Sequence, residues 1–258
     1  MALFENLTNV ICLTVDVEWV CQEVLLDITH LLDERGLHVT FFCTHEGIKV
    51  PGHERALHPN FHRNGSIYRQ LREEIGDAIS DLTEKEIYQY AIKNTHKFCP
   101  EAIGVRAHNS YFNFDVLSVY REAGLQYDST YSLPLASGLQ PILKEFGILE
   151  MPIYYMDHID LINQMTGFSM EKLCLKKPSL KVFDFHPNIV FLNASTEQQY
   201  LESKPCYHDY EQLLHLRHKG RGVRTLFIDL LDYICAEGHP TMTLGELNRV
   251  WRETHKIK

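Results

Sequence analysis

Val10 to Glu18 reads Val-Ile-Cys-Leu-Thr-Val-Asp-Val-Glu, an apolar and largely β-branched run that ends in two acidic residues. A short run of this kind is typical of a buried strand with its polar end at the edge of the sheet. Apolar residues then recur at helical spacing from Val24 to Leu32, and Gly36 ends that helix. A second apolar run follows at residues 39–43. This order predicts a parallel β-α-β unit at the start of the chain.

The same alternation continues along the chain. Further strands are predicted at residues 102–106, 148–155 and 180–185, and helices at residues 66–74, 83–98, 116–120, 223–234 and 243–252. A length of 258 residues is enough for one α/β domain with a sizeable core. We therefore predict an α/β fold: a single (β/α) barrel domain over residues 1–258, with a C-terminal helical extension from about residue 221.

Composition and charge exclude several classes of protein. A formal net charge of −9 argues against a nucleic-acid binder or a membrane-surface binder, because phosphate binding depends on lysine and arginine. Seven cysteines without a Cys-x-x-Cys pair indicate a reducing compartment rather than a disulfide framework. No apolar run reaches about 20 residues, and residues 1–7 carry no basic segment of the signal-peptide type. A cytoplasmic location without a membrane span is therefore expected.

Two acidic residues and two histidines follow neighbouring predicted strands. Asp16 and Glu18 end the first strand, and His58 and His62 lie four residues apart in the loop after the second. One carboxylate and two imidazoles suit a catalytic divalent ion and leave one position open for water. The pattern predicts Glu18, His58 and His62 as metal ligands, with Asp16 placed to accept a proton from that water. A histidine pair at this spacing is weak evidence by itself.

Four of the candidate residues occupy one kind of position in the predicted fold. Asp16, Glu18, Arg106 and His186 all fall at the ends of predicted strands. In a (β/α) barrel, active groups collect where strands end and the loops to the helices begin. This common position supports a site more strongly than any single motif does.

The order of motifs resembles that of the NodB-like polysaccharide deacetylases, which form carbohydrate esterase family four. The motifs are Leu-Thr-Val-Asp-Val-Glu from residue 13, Val-Thr-Phe-Phe from residue 39, Gly-His-Glu-x-x-x-His-x-x-x-His from residue 52, Val-Arg-Ala-His from residue 105, Tyr-Asp-Ser from residue 127 and Phe-His-Pro from residue 185. The resemblance covers residues 10–190 and is closest to the polysaccharide-deacetylase-like proteins of bacterial O-antigen clusters.

This resemblance implies a fold, a cofactor and an activity. The fold would be a distorted (β/α) barrel of about seven strands. The cofactor would be one divalent metal, with zinc expected first and nickel, cobalt or manganese as alternatives. The activity would be hydrolysis of an acyl group, N-acetyl in the first instance, from an amino sugar during synthesis of a cell-surface polysaccharide or O-antigen.

The resemblance also implies roles for the residues near the first two strands. Asp16 matches the catalytic base, and Glu18 matches the metal carboxylate, where the related pattern has aspartate. His58 and His62 match the metal histidines. Asn60 and Ser66 are alternatives to His62 in an atypical site.

Two later motifs supply the remaining catalytic roles. Arg106 matches the arginine that hydrogen-bonds the catalytic aspartate and lowers its pKa, and His108 stands two residues later, where the family carries proline. His186 matches the residue that protonates the leaving amine. A carboxylate normally orients such a histidine. Asp184 shares a strand face with His186 but lies roughly 6.6 Å back along the strand, so Asp128 and Asp157 are the better candidates.

A basic segment lies outside these motifs. Residues 215–225 reverse the sign of an acidic chain and run into a predicted helix. Backbone amides at a helix start, beside arginines, can bind anions, and barrels often bind phosphate in their last loops. We predict that Arg221 and Arg224 bind the phosphate or carboxylate of a nucleotide-linked, lipid-linked or acidic sugar. A solvated charged loop is the alternative.

Two other functions remain open at this point. The same scaffold could act as a deformylase or another small-amide hydrolase. A barrel that has lost catalysis could instead bind a glycan or a partner protein. The complete set of candidate site residues argues against that second alternative, because a binding protein has no need of them all.

Overall fold

The computed structural model of the protein describes residues 9–63 and 65–257. The prediction about a signal peptide rests on residues 1–7, which lie outside the described residues. Within the described chain, one sheet contains nine strands: β1 (Ile11–Asp16), β2 (Thr40–Cys43), β3 (Glu54–Leu57), β4 (Gly104–Val105), β5 (Tyr127–Asp128), β6 (Ile142–Leu143), β7 (Leu149–Glu150), β8 (Ile153–Met156) and β9 (Lys181–Phe185). Their order across the sheet is β6-β7-β5-β4-β3-β2-β1-β9-β8.

The sheet curls almost closed. All pairs of neighbouring strands are parallel except β6 and β7, which form an antiparallel hairpin. The chain that continues from β5 pairs with β8 through a parallel bridge between Ser132 and Ile153. The Ile153 amide donates to the carbonyl of Tyr131 at 2.8 Å, and the Leu133 amide donates to that of Ile153 at 2.9 Å. The ring therefore runs through β1 to β5, β8 and β9, and the predicted α/β barrel is confirmed.

The described sheet has four strands more than the five predicted from sequence, and two of these, β5 and β6, contain only two residues each. The other two have local causes. The run predicted at 148–155 is split into β7 and β8 by Pro152, which has no amide hydrogen for the sheet. Strand β3 was not predicted, because Glu54 and Arg55 make its first half polar. By contrast, every residue of β1, β2 and β9 is buried, which explains why these strands are apolar throughout.

Ten α-helices accompany these strands in the described part of the chain: α1 (Gln22–Asp33), α2 (Ser66–Ile75), α3 (Glu84–Phe98), α4 (Phe114–Glu122), α5 (Asp157–Asn163), α6 (Pro187–Leu192), α7 (Glu197–Ser203), α8 (Tyr210–Leu216), α9 (Val223–Glu237) and α10 (Leu244–His255). None of them is long and apolar enough to cross a membrane. Local sequence accounts for several boundaries. Thr83 and Glu86 form a capping box at the start of α3, and Pro187 occupies the first position of α6.

Helix α10 covers the amino-terminal end of the barrel. The Leu244 amide donates to Thr40 Oγ1 at 2.9 Å, and the Gly245 amide donates to Glu54 Oε2 at 2.9 Å. The Tyr127 hydroxyl donates to Glu54 Oε1 at 2.8 Å. Glu54, at the polar start of β3, therefore connects β5 with helix α10. The opposite end, where the parallel strands finish, is left for the functional residues.

Candidate metal and catalytic centre

The candidate residues converge at the carboxyl ends of four strands. Asp16 is the last residue of β1, and His58 directly follows β3. Arg106 directly follows β4, and His186 directly follows β9. Because β1, β3, β4 and β9 run in the same direction, their ends open on one side of the barrel.

A strained turn after β1 carries Glu18. Glu18 and Trp19 both adopt positive φ angles, of 53° and 55°, which non-glycine residues seldom do. Such conformations cost on the order of 1–3 kcal/mol each and occur mainly at functional sites. Two hydrogen bonds hold the turn: the Val20 amide donates to the Val17 carbonyl at 3.2 Å, and the Trp19 amide donates to Thr44 Oγ1 at 3.2 Å.

Glu18 contacts two histidines that follow different strands, His58 after β3 and His108 after β4. Its Oε1 lies 3.2 Å from His58 Nε2 and 2.9 Å from His108 Nδ1. One ligand atom from each of these three residues lies within 4.8 Å of the other two. Burial raises the pKa of Glu18, but hydrogen bonds from His108 and His58 outweigh it and bring the pKa far below its ordinary value. The carboxylate is therefore charged at neutral pH.

The donor set fits a divalent metal. His58 Nδ1 lies 2.8 Å from the backbone carbonyl of Arg106, so a hydrogen on Nδ1 leaves the lone pair of Nε2 directed at the cluster. Metal-binding histidines are oriented by such a contact on the other ring nitrogen. One carboxylate and two imidazoles supply three ligands and leave a position open, as in catalytic zinc sites.

His62 does not join this cluster, which corrects the predicted ligand set of Glu18, His58 and His62. Its side chain is exposed, and its ring lies edge-on to that of Tyr111 with centroids 5.6 Å apart. Residues 58–62 are not helical, so a spacing of four does not bring both histidines to one face. Asn60, an alternative to His62, accepts a hydrogen bond from the His62 amide at 3.0 Å. The structure places His108 where His62 was expected.

Arg106 fixes the position of Asp16 by a hydrogen bond. Arg106 is buried, and its Nη1 donates to Asp16 Oδ1 at 2.8 Å and to Thr14 Oγ1 at 2.9 Å. The other nitrogens of the guanidinium donate to the Ser129 carbonyl at 2.7 Å and to Ser129 Oγ at 2.9 Å. Burial raises the pKa of Asp16, but Arg106, together with His58, holds it below its ordinary value. The second oxygen, Oδ2, lies 3.7 Å from His58 Nε2 and faces the cluster.

Asp184, which the sequence analysis set aside as the partner of His186, is a partner of Arg106. It is fully buried and accepts hydrogen bonds from Arg106 Nη1 and from Thr14 Oγ1. Its other oxygen has no hydrogen-bond partner among the described residues. Burial raises the pKa of Asp184 to about 7, although Arg106 acts in the opposite direction. Asp184 and Asp16 together fix the guanidinium between them.

His186 is paired with Asp157, one of its two candidate partners. His186 Nδ1 lies 2.6 Å from Asp157 Oδ1, and the His186 amide donates to Asp157 Oδ2 at 2.8 Å. Asp128, the other candidate, instead contacts Lys144 Nζ at 2.6 Å. Burial lowers the pKa of His186, but the Asp157 carboxylate outweighs it, and the pKa rises to about 10. A ligand atom of His186 lies within 4.8 Å of those of Asp16 and Glu18.

The arginines predicted to bind an anion each form an ion pair within the chain. Arg221 donates to Asp229 Oδ2 at 2.8 Å and to the Phe168 carbonyl at 2.6 Å. Arg224 forms a two-pronged pair with Asp27 on α1. The loop that carries them packs on the residues after α6, where the Val223 amide donates to the Ala194 carbonyl at 3.0 Å. These pairs favour the alternative, a charged loop at a helix start, and anion binding by Arg221 and Arg224 stays a prediction.

A parallel barrel with carboxylates and histidines at its strand ends has the arrangement expected of an α/β-barrel enzyme. The chain belongs to the WbmS-like polysaccharide deacetylase family, whose model matches residues 13–204. That match includes every residue of the cluster and excludes Arg221 and Arg224. The resemblance read from the sequence motifs is thereby confirmed. No curated protein matches the chain at a significant level.

Two solved structures share the fold. A protein from Bordetella bronchiseptica, described as a polysaccharide deacetylase (WbmS) involved in O-antigen biosynthesis, is 23% identical with a TM-score of 0.73, and the match covers 88% of this chain and 91% of that chain. A protein from Mycobacterium smegmatis, described as a polysaccharide deacetylase, is 14% identical with a TM-score of 0.56, and the match covers 95% and 91%. At these identities the likeness shows a common fold.

Proposed function

We propose that this protein is a divalent-metal-dependent hydrolase that removes an N-acetyl group from an amino sugar during synthesis of a cell-surface polysaccharide, such as an O-antigen. The observation that carries the proposal is the donor set of Glu18, His58 and His108 beside an aspartate held by Arg106 and a histidine held by Asp157. Membership of a polysaccharide deacetylase family supports the reaction. The description of the Bordetella protein supports the biosynthetic context.

The metal would be held by Glu18 Oε1, His58 Nε2 and His108 Nδ1. Two imidazoles and one carboxylate suit zinc, and they also accept cobalt or nickel. A divalent ion held there supplies Lewis acidity toward the carbonyl oxygen of the acyl group.

Asp16 is suited to act as the general base. One of its oxygens is occupied by Arg106, so the other, which faces the cluster, accepts the proton of the attacking water. The low pKa keeps Asp16 ionised, as a base must be before the reaction starts. Arg106 also fixes the direction of the free oxygen, because it is itself held by Asp184 and Ser129.

His186 is suited to act as the general acid. Its pKa of about 10 keeps the imidazolium form dominant at neutral pH, and its Nδ1 is engaged by Asp157. The Nε2 proton is then available to the amide nitrogen as the bond to the acyl carbon breaks. One proton thus passes from water to Asp16 and another from His186 to the amine, and the products are a carboxylic acid and a free amino sugar.

Metal content and acetate release test this proposal together. The purified wild-type protein should contain about one divalent ion and should release acetate from N-acetylated amino-sugar oligosaccharides. His108→Ala should bind the ion far more weakly, whereas the matched variant His62→Ala should retain it. The reverse result for these two variants would restore the ligand set predicted from sequence. A metal-loaded protein that releases formate from N-formylated sugars but no acetate from N-acetylated ones would be a deformylase, and one that releases neither would not be the proposed hydrolase.

A further inference from the structure

A lysine and two acidic residues form a nearly buried cluster at the carboxyl ends of β5 and β7. Lys144 Nζ lies 2.6 Å from Asp128 Oδ2 and 2.6 Å from Glu150 Oε2. The side chain of Lys144 is 6% exposed, and the two carboxylates are buried. We call these three residues the lysine triad. None of them takes part in the reaction steps described above.

Stability alone does not account for the lysine triad. Removing three charges from water costs free energy, and well-packed apolar residues often give an interior that is equally stable or more stable. Burial, together with the nearby Asp128, raises the pKa of Glu150 to about 7, although Lys144 acts in the opposite direction. The ammonium therefore offsets a repulsion between two buried carboxylates. A cluster of this kind can fix one geometry of the chain around it.

The lysine triad fixes the segment that follows β5. Glu150 Oε1 accepts hydrogen bonds from the amides of Thr130 and Tyr131, at 3.1 Å and 3.0 Å. Asp128 Oδ1 accepts another from Thr130 Oγ1 at 2.5 Å. The second oxygen of each carboxylate accepts from Lys144. Lys144 therefore sets the direction of the two carboxylates that hold this segment.

The same segment contacts the residues after β4 that the proposed reaction requires. Ser129 accepts hydrogen bonds from Arg106 at its carbonyl oxygen and at Oγ, at 2.7 Å and 2.9 Å. Thr130 Oγ1 accepts one from the amide of Ala107 at 3.3 Å, and Ala107 directly precedes His108. Arg106 is the partner of the candidate base, and His108 is a candidate metal ligand. A shift of the segment would therefore move both of them.

Lys144 also contacts the loop that carries His108. Its ammonium lies 5.6 Å from the ring centroid of Phe112 and 4.8 Å from that of Tyr131. Both distances are within the range of cation–π attraction. The two rings themselves pack edge to face, with centroids 5.3 Å apart. The ammonium therefore connects the loop after β4 to the segment after β5.

We propose that Lys144 is a positioning residue for the candidate active site. Through Asp128 and Glu150 it holds the segment after β5, and that segment orients Arg106 and His108. The inference rests on the proposed function and adds a residue that acts on the reaction only through other residues. Groups that orient metal ligands from behind typically contribute roughly 10- to 100-fold to metal affinity or activity.

Replacement of Lys144 by methionine tests this proposal, because methionine keeps an unbranched side chain and removes the charge. The matched control is Lys181→Met. Lys181 is also buried, but within the described chain its ammonium donates to backbone carbonyls alone, those of Lys177 and Ser179, at the start of β9. Lys144→Met should lower kcat for acetate release roughly 10- to 100-fold and change KM far less. Lys181→Met should lose stability but keep the wild-type kcat.

Equal kcat values for the folded forms of these two variants would leave Lys144 with a structural role only and would overturn the proposal. Thr130→Val is the second variant, in case Lys144→Met does not fold. Valine keeps the shape of threonine and leaves the ion pairs in place, but it removes the acceptor of the Ala107 amide. Its zinc affinity, measured by competition with a chelator, should fall roughly 10-fold. An unchanged zinc affinity would mean that the segment does not orient His108, which also contradicts the proposal.

The Nε–H group of Arg106 reports the positioning without any catalysis. It donates to the Ser129 carbonyl in a buried place, so its hydrogen should exchange slowly with solvent in the wild type. Lys144→Met should accelerate this exchange, measured by NMR, and Lys181→Met should not. Faster exchange in Lys144→Met, in a protein that releases no acetate even as the wild type, would support the positioning and count against the proposed reaction. Exchange that is equally slow in Lys144→Met would refute the positioning.

Discussion

Replacement of Asp157 by asparagine isolates the charge that holds His186 protonated. Asp157 is fully buried at the start of α5 and contacts both Nδ1 and the backbone amide of His186, at 2.6 Å and 2.8 Å. Asparagine has nearly the same shape, and its carbonyl oxygen can still accept the hydrogen bond from the backbone amide. The variant therefore removes a negative charge with little change in packing.

The size of the effect follows from the pKa of His186. Burial alone lowers this pKa, and Asp157, with smaller contributions from Asp184 and Asp16, raises it from 6.5 to about 10. At about 1.4 kcal/mol for each pH unit, this difference favours the imidazolium by roughly 5 kcal/mol. An opposite charge at this distance accounts for a pKa change of about 1–3 pH units, so the pKa of His186 in Asp157→Asn should be lower by that amount.

The pH dependence of kcat reports this change directly. A general acid must carry its proton, so the wild-type rate should fall only as the pH rises through the pKa of His186, which Asp157 holds above its ordinary value. In Asp157→Asn the same fall should occur about 1–3 pH units lower. The control is His186→Ala, which should be slower by roughly 10²–10⁴ and should lack this alkaline fall. If the alkaline fall of Asp157→Asn coincides with that of the wild type, His186 is not the group that titrates.

The same ion pair contributes to folding stability with a definite sign. His186 has a higher pKa in the folded state than in the unfolded state, so its contribution is complete below pH 6.5 and is lost as the pH rises through about 10. The free energy of unfolding of the wild type should therefore decrease across this range. Asp157→Asn should show a smaller decrease, measured by urea unfolding at several pH values.

Three further outcomes are expected. Gly104→Ala should lower the free energy of unfolding by about 3 kcal/mol or more, measured by urea denaturation, because its Cβ would lie 1.8 Å from Cζ of buried Tyr127. Arg224→Ala should lower the Tm but leave the KM values for charged and neutral sugars in the same ratio, because its guanidinium is held by Asp27; a selective rise in KM for the charged sugar would revive the anion site. Removal of metal with EDTA should abolish acetate release and lower the Tm, and zinc should restore both; full activity after exhaustive chelation would exclude a metal-dependent reaction.

The fold could be predicted from the sequence wherever burial alone dictates the residue type. Strands β1, β2 and β9 are buried throughout, so their sequences are apolar without interruption. Helix α1 buries one stripe, Val24, Leu25, Ile28 and Leu32, and shows the matching period. Strand β3 was not predicted because its first two residues are polar. Glu54 accepts a hydrogen bond from Gly245 on α10, and Arg55 donates one to Glu101. Such partners are set by tertiary structure and leave no periodic pattern.

The residues of the candidate site could be predicted in part for a related reason. Asp16, Arg106 and His186 stand at strand ends, and strand ends can be read from local sequence. The contact of Asp184 with Arg106 could not be predicted, because Asp184 lies inside β9, where a charge is unexpected. Its buried carboxylate is stabilised by Arg106, which follows β4. Two residues so far apart in sequence produce no shared local pattern.

The proposed metal ligands show where reasoning from sequence spacing fails. A spacing of four residues implies a common face only if the intervening chain is helical, and residues 58–62 are not. The third proposed ligand, His108, comes instead from a motif that departs from the family pattern, because His108 stands where the family carries proline. That departure was visible in the sequence, but its meaning depends on β3 and β4 being neighbours, which brings His58 and His108 together on Glu18. Whether a histidine near a strand end can share a metal site with another is therefore predicted better from the order of strands in the sheet than from the spacing of histidines in the sequence.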